Sequence, residues 1–301
     1  MTVLITGATG LIGQEIVKLC HAEEVNVHYL TTSKSKLNTG DNYKGFYWDP
    51  NNNEIDHRCF EGVSVIINMV GASISKRWTE DYKKIIIKSR TKTAKLLQDT
   101  IKKHNFKIDY VLSASAIGIY PSSLVNYYDE DNTEISETFL GDVVTAWENV
   151  VDEFKLLGCK VAKIRIGLVL AKNDGALPKI VKPMRYGFGA AFGSGKQWQS
   201  WIHIEDLARI FMHTLQYQLE GIYNGVAPNP VTNNDFTKMA ADVLSRPLIL
   251  PNIPKFAMQL ILGEMHILLF ESQRVSSQKI ENKGFHFKYA NLRPALEDLL
   301  V

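Results

Sequence analysis

Apolar residues along the chain fall into two alternating patterns. Short continuous runs suit buried strands, and stretches with an apolar residue every three to four positions suit helices packed on one side. Val3 to Ile5 is the first run, with β-branched ends. Ile12, Ile16, Val17, Leu19 and Cys20 follow at helical intervals, and Val25 to Leu30 reads as a second strand. Residues 31–62 are polar and loop-rich around Tyr47 and Trp48. Val63 to Asn68 is another apolar run, closing just before Gly71 and Ala72. Tyr82, Ile86, Thr93, Leu97 and Ile101 then predict a helix over about 79–104. Tyr110 to Leu112 begins the next strand and leads into Ser113–Tyr120. Residues 121–140 read as an acidic insert without regular structure, Asp142 to Leu157 as a helix, and Val161 to Leu170 as a further strand. Strands alternating with helices specify a parallel, doubly wound α/β sheet.

From about residue 171 the rhythm changes. Gly187, Gly189, Gly193 and Gly195 crowd around Phe188 and Phe192, and Trp198 and Trp201 follow. Glu205 to Tyr217 reads as a helix and Gly221 to Gly225 as a short strand. Five prolines, from Pro228 to Pro254, then punctuate several short helices. This predicts a smaller C-terminal α+β lobe over 171–301, interleaved with a first domain over 1–170. A cleft between two such parts is the default place for a substrate.

Composition narrows the partners. Hydrophobic residues make up 45% of the 301 and charged ones 22%, which is ordinary for a globular protein. Lys and Arg exceed Asp and Glu by 34 to 32, so no charge excess points to nucleic acid or a membrane surface. The lysines of helix 79–104 read as a solvated face. Cys20, Cys59 and Cys159 stand far apart in no metal-ligand pattern and read as reduced, buried thiols. No apolar run approaches the ~18 residues that span a bilayer. Residue 1 leads directly into the first strand, so no signal peptide is expected. The expectation is a cytoplasmic monomer or homodimer with a small-molecule substrate and no metal.

The candidate chemistry begins at Gly7, Gly10 and Gly13, spaced G-x-x-G-x-x-G between the first strand and the first helix. Gly7 permits a tight turn, Gly10 lets a pyrophosphate approach the backbone, and Gly13 lets the helix pack closely on the strand. The N–H groups of Leu11 and Ile12 would face the phosphates, with the helix dipole assisting. A glycine turn without a ligand is the alternative. Asn68-Met-Val-Gly71 ends a central strand, beyond whose carboxyl edge open parallel sheets bind ligands. Gly71 there would let the chain pass close to an adenosine or ribose. Arg90 falls four residues after Ile86 and three before Thr93, on or beside the buried stripe of its helix. A guanidinium there needs a partner, because burying an unpaired charge is costly. A dinucleotide phosphate or ribose, a carboxylate, or snorkelling to solvent would each serve, and spacing does not choose among them.

At the end of the second strand, Thr31-Thr-Ser-Lys34 offers hydroxyls and a cation where an acid would select NAD. NADP(H) over NAD(H) is therefore expected.

These motifs resemble the extended, epimerase/dehydratase branch of the short-chain dehydrogenase/reductase superfamily. The matching pieces are Gly7-Ala-Thr-Gly-Leu-Ile-Gly13, Asn68-Met-Val-Gly71, Ser113-Ala-Ser115 and Trp201-Ile-His-Ile-Glu-Asp206. Arg77-Trp78-Thr79, Ser89-Arg90, Gly193–Trp198 and Gly225–Thr232 are similar to an atypical subfamily of epimerase-like proteins. The run from Leu262 through Phe285 resembles its extra C-terminal domain, about 250–301 here. The resemblance implies a Rossmann-type sheet and an epimerase- or oxidoreductase-like activity. It assigns Arg90 to the cofactor. The expected cofactor set is then Gly7, Thr9, Gly10, Leu11, Ile12, Gly13, Thr31, Thr32, Ser33, Lys34, Met69, Val70, Gly71, Arg90 and Val169. The subfamily often carries Arg where Thr32 stands here.

The superfamily's redox centre is a Tyr-x-x-x-Lys pair with a Ser or Thr. None of the 12 tyrosines here is followed four residues later by lysine. Ser115 matches the Ser/Thr position, and Tyr120, five residues on, is the candidate acid. Arg77, Trp78, Lys196 and Gln197 are candidate substrate contacts, while His203 and Asp206 are expected to tie the two parts together. A non-catalytic NADP-sensing or protein-interaction role on the same scaffold is the alternative to catalysis.

Overall fold

A computed structural model describes all of residues 1–301. Seven strands run parallel in one nine-stranded sheet: β1 (Thr2–Thr6), β2 (Asn26–Thr31), β3 (Tyr43–Asp49), β4 (Val63–Asn68), β5 (Tyr110–Ala116), β6 (Lys160–Ile166) and β7 (Gly221–Gly225); the two-residue strands Thr39–Gly40 and Glu54–Ile55 pair antiparallel with β3. Their order is β7-β6-β5-β4-β1-β2-β3, so the winding direction reverses between β1 and β4. The central strands, β1 above all, are apolar on both faces because helices cover both. On one face α1 (Leu11–Ala22) packs against α5 (Ile204–Gln216); on the other α2 (Glu80–His104) packs against α3 (Phe139–Asp152). Gln98 Nε2 donates to the Val150 carbonyl at 2.7 Å across that second pair. The core between the layers holds 45 buried hydrophobic residues.

The long helix α2 is well terminated. Thr79 Oγ1 accepts the Tyr82 N–H, Glu80 and Asp81 stand in the first turn, and Lys102, Lys103 and His104 in the last. Such a cap contributes about 1 kcal/mol, and the charges complement the helix dipole.

The structure differs from the sequence reading in several places. Residues 43–49, read as loop, are the strand β3, with Thr39–Gly40 paired on its outer side, and α3 starts three residues earlier than expected, after Thr138. The run 161–170 is broken at Gly167, where a Cβ would lie 2.2 Å from the Ser200 carbonyl oxygen. Leu168–Leu170 therefore leaves the sheet and pairs with Trp201–His203. The insert 121–140 holds a two-residue strand, Tyr127–Tyr128, paired with Arg274–Val275. From beyond residue 170, β7 adds a strand to the sheet and α5 covers one of its faces.

The remaining elements, α4 (Leu177–Arg185), α6 (Asn233–Val243) and α8 (Leu292–Leu300), share a second core with Trp201 and Phe236. Between them α7 (Lys255–Leu262) and the turns after it lean on the starts of α2 and α3, where Met265 meets Trp78, Ile86, Leu140 and Val143. His203 and Asp206 bind this C-terminal chain. His203 Nε2 pairs with Asp298 at 3.2 Å, and the fully buried Asp206 accepts the N–H groups of Lys288 and Tyr289. No helix is long and apolar enough to cross a membrane.

Candidate functional site: the carboxyl edge between β1 and β4

The reversal of strand order opens a crevice at the carboxyl ends of β1 and β4, where Thr6 and Asn68 lie in register. Thr6 Oγ1 donates to Asn68 Oδ1 at 2.9 Å and accepts the Met69 and Val70 N–H groups at 3.0 and 3.2 Å. Asn68 Nδ2 reaches on to Ser113 Oγ at 3.1 Å. These bonds hold three strand ends level beneath the glycine turn. Gly7 turns there at φ +74°, close against Met69 and Val70. Gly13 is required by packing: a Cβ would meet the Gly7 oxygen at 2.2 Å. Gly10 is different. A Cβ on it would touch only the Gly7 oxygen, at 3.2 Å, so the protein itself leaves room on that side. Gly10 caps α1 with no side chain, leaving the first-turn amides of Leu11 and Ile12 to an incoming acceptor. The segment after Val169 passes over the same turn, since a Cβ at Gly175 would lie 3.2 Å from Leu11 Cδ2 and 3.9 Å from the Val169 oxygen.

Arg90 completes this edge. It is 9% exposed, and its Nη1 donates to the Ile86 and Ala72 carbonyls at 2.9 and 3.3 Å. Its guanidinium lies 4.8 Å over the Trp147 ring. Nε is buried without a partner and no carboxylate pairs with it. Burial pushes its pKa down to about 10. A cation held by carbonyls and an aromatic face, with an unused donor, fits an anionic or hydroxyl-rich ligand. Gly71 has a nearer reason than the one expected: a Cβ there would lie 2.8 Å from Arg90 Cζ.

At the end of β2, Thr31 is buried and accepts the Ser33 N–H at 3.1 Å. Thr32 and Lys34 are exposed, and Lys34 Nζ stands 5.1 Å over the Tyr47 ring. No acid stands in the following turn, which carries Lys34 and Lys36.

Both catalytic candidates are buried and hydrogen-bonded within the protein. Ser115 Oγ donates to Glu148 Oε1 at 2.6 Å, and Tyr120 is fully buried with its hydroxyl donating to Asn224 Oδ1 at 2.8 Å. Arg165 joins them: Nε and Nη2 grip the two Glu148 oxygens at 2.9 and 3.1 Å, and Nη1 donates to the Tyr120 hydroxyl at 3.1 Å. Burial pushes the Tyr120 phenol up to about 12, against the pull of Arg165. Burial alone would also raise Glu148, but the bonds and charge of Arg165, with Ser115 and Lys163, hold it below the usual carboxylate range. From α3, Val144 packs beside Tyr120 and Glu148 meets Ser115.

Among the substrate candidates, Arg77 and Lys196 are exposed. Trp78 is a packing residue, buried edge-on to Phe139 with its N–H on the Ile74 carbonyl. Gln197 Nε2 is committed to the Phe192 and Leu269 carbonyls. The sequence reading missed Glu148, Arg165 and Trp147. Two opposite charges on an apolar helix and an apolar strand were the available signal for the first pair.

The sequence model of the NAD-dependent epimerase/dehydratase family matches residues 3–224. The chain belongs to that family. A domain of unknown function (DUF1731) matches residues 253–299 of this family member, covering α7 through α8. Epimerase family protein SAR0825 of Staphylococcus aureus (strain MRSA252) is 35% identical over 298 residues, covering 99% of this chain and 98% of that protein. Human epimerase family protein SDR39U1 (isoform 2), solved with NADPH, superposes with a TM-score of 0.84 at 28% identity, covering 99% of each chain. UDP-N-acetylglucosamine 4-epimerase from Bacillus cereus shares the fold, with a TM-score of 0.78 at 17% identity and coverage of 99% and 98%.

Proposed function

We propose that this epimerase-family protein binds NADP(H) along the β1–β4 edge and acts as an NADP-dependent oxidoreductase or epimerase-like enzyme on a small molecule. The observation that carries the reading is Arg90, a buried guanidinium without a carboxylate, directly against Gly71 after β4, the strand next to β1, whose turn leaves the first amides of α1 uncapped by any side chain. The human relative solved with NADPH, 28% identical over nearly its whole length, supports the same cofactor. Arg90→Met is the test. A charge-assisted hydrogen bond contributes about 1.5–3 kcal/mol, so NADPH affinity should fall about 10- to 100-fold by calorimetry. The unliganded variant should melt no lower than the parent, because the methionine removes a buried charge that has no counter-ion. Unchanged affinity would remove Arg90 from the cofactor site.

The choice of NADP over NAD rests on the hydroxyls and lysines of residues 31–36. Thr32→Asp should place a carboxylate beside the 2′-phosphate and reverse a preference for NADPH over NADH. The parent's preference should narrow at high salt, since part of it is ionic. Paired titrations at low and high salt measure both, and equal affinities in the parent at low salt would defeat the assignment.

A second reading, non-catalytic NADP sensing, is favoured by the enclosure of Ser115 and Tyr120. Chemistry at Ser115 would require its hydroxyl to exchange Glu148 for a substrate oxygen.

A further inference from the structure

The C-terminal part carries apolar side chains that nothing in the chain covers. Helix α7 reads Lys255-Phe-Ala-Met-Gln-Leu-Ile-Leu262, and none of its eight residues is buried. Phe256, Leu260 and Ile261 are exposed, Leu260 to 79%. Ile249 and Leu250 before α7, and Tyr186 and Phe188 after α4, are exposed as well. Backbone bonds join these two stretches. The Ile253 N–H donates to the Ala191 carbonyl, and the Ile253 carbonyl accepts the Gly193 N–H, both at 2.8 Å. Leu248 packs against the same chain, since a Cβ at Gly189 would lie 2.8 Å from its Cδ2. Single apolar residues on a surface are ordinary, but a group gathered in two adjoining stretches marks an interaction surface.

The same stretches are basic. Residues 175–204 and 243–263 together hold six lysines and arginines and no aspartate or glutamate. The balance of +2 over the whole chain therefore hides a local excess. Lys179, Lys182 and Arg185 stand on the exposed side of α4, whose Leu177, Val181 and Met184 are buried. Arg246 is exposed three residues before Ile249, and Lys255 is exposed next to Phe256. The acids that flank 243–263 are engaged elsewhere, Asp242 by Arg293 at 3.3 Å and Glu264 by Lys83.

We propose that this face docks on the surface of an anionic phospholipid membrane. Phe256 and Leu260 enter the headgroup layer, and the lysines and arginines around them meet the lipid phosphates. Aromatic and aliphatic side chains ringed by cations are the composition that binds at such an interface, and no spanning helix is needed. A second copy of the chain suits the face less, because a two-fold pair would set the same cations against one another. The proposal is independent of the dinucleotide site.

Flotation of the full chain with lipid vesicles is the test, using phosphatidylcholine alone and phosphatidylcholine mixed with phosphatidylserine. The protein should float with the acidic vesicles, less so at high salt, and stay behind from the neutral ones. Phe256→Ser combined with Leu260→Ser, and Lys182→Glu combined with Arg185→Glu, should each weaken binding at least about tenfold. All four positions are exposed, and unchanged melting temperatures establish that both variants fold. Absence of binding to acidic vesicles, equal binding to neutral ones, or indifference to either pair of substitutions would overturn the proposal. So would a dimer in sedimentation velocity that Phe256→Ser with Leu260→Ser dissolves, since a second copy would then be the occupant.

Discussion

Gly10→Val is expected to give a folded protein that has lost dinucleotide binding, whereas Gly13→Ala is expected to damage the fold itself. The two glycines belong to one motif but meet different neighbours. A Cβ at position 13 would lie 2.2 Å from the Gly7 oxygen and 2.8 Å from the Ala8 Cα, both backbone atoms that cannot rotate aside. Overpacking of this kind costs about 1–3 kcal/mol, occasionally more. At position 10 the one close atom is the Gly7 oxygen at 3.2 Å, and a few tenths of an ångström relieve it. Valine is also a poorer helix cap than glycine, so a loss of about 1 kcal/mol of stability is expected there. Its side chain would stand where a pyrophosphate must approach the α1 amides. NADPH affinity in Gly10→Val should fall at least about 100-fold, near 2.7 kcal/mol. Thermal melts and calorimetry on both variants separate the effects, and a Gly10→Val protein that binds NADPH normally sinks the assigned site.

Arg165→Met should be the most damaging single change in the buried polar network. Glu148 is buried and receives two bonds from Arg165, at 2.9 and 3.1 Å; Lys163 stands 3.5 Å away, itself drawn to Asp152 at 2.7 Å. Removing the arginine leaves a buried carboxylate largely uncompensated, which costs about 3–5 kcal/mol. Adding Glu148→Gln should recover part of that loss, because the stranded charge goes with it. The pH dependence has a definite sign. Glu148 is held below its unfolded pKa, so its contribution is present above the unfolded value of about 4.3 and is lost as pH falls through the folded one. In Arg165→Met that acid-side loss should shrink, since the carboxyl's pKa rises. Chemical denaturation at pH 7 and at pH 4 measures all three proteins. Additive losses in the double variant would show that the two residues do not act as a pair.

Much of the sheet was legible because its strands announce themselves locally. Val3–Ile5 and Val65–Ile67 are apolar on both faces, as strands covered by helices on both sides must be. Tyr43–Asp49 was not, because only Phe46 and Trp48 in it are buried: Lys44 on their face is exposed, and Tyr43, Gly45 and Tyr47 stand on a half-covered face. Trp78 and Gln197 read as cleft residues from their glycine-rich or charged neighbours. Burial among Phe139, Leu140 and Val143, and between the Phe192 and Leu269 carbonyls, depends on where the C-terminal chain lies.

The glycine spacing, the strand before it and the helix after it were enough to specify a tight turn that opens a helix with no side-chain cap, because every part of that device lies within 13 residues. The absence of Tyr-x-x-x-Lys was equally plain, being a statement about spacing alone. Whether Ser115 and Tyr120 face a cleft was decided only by the assembled sheet. Ser115 lies 33 residues from Glu148 in the chain, and Tyr120 lies 104 from Asn224. The first pairing depends on α3 packing over β5, and the second on β6 lying between β5 and β7 in register. Hydrophobic periodicity sets which face of a strand is buried but not which strand lies next to it, so these contacts exist only once the chain has closed on itself.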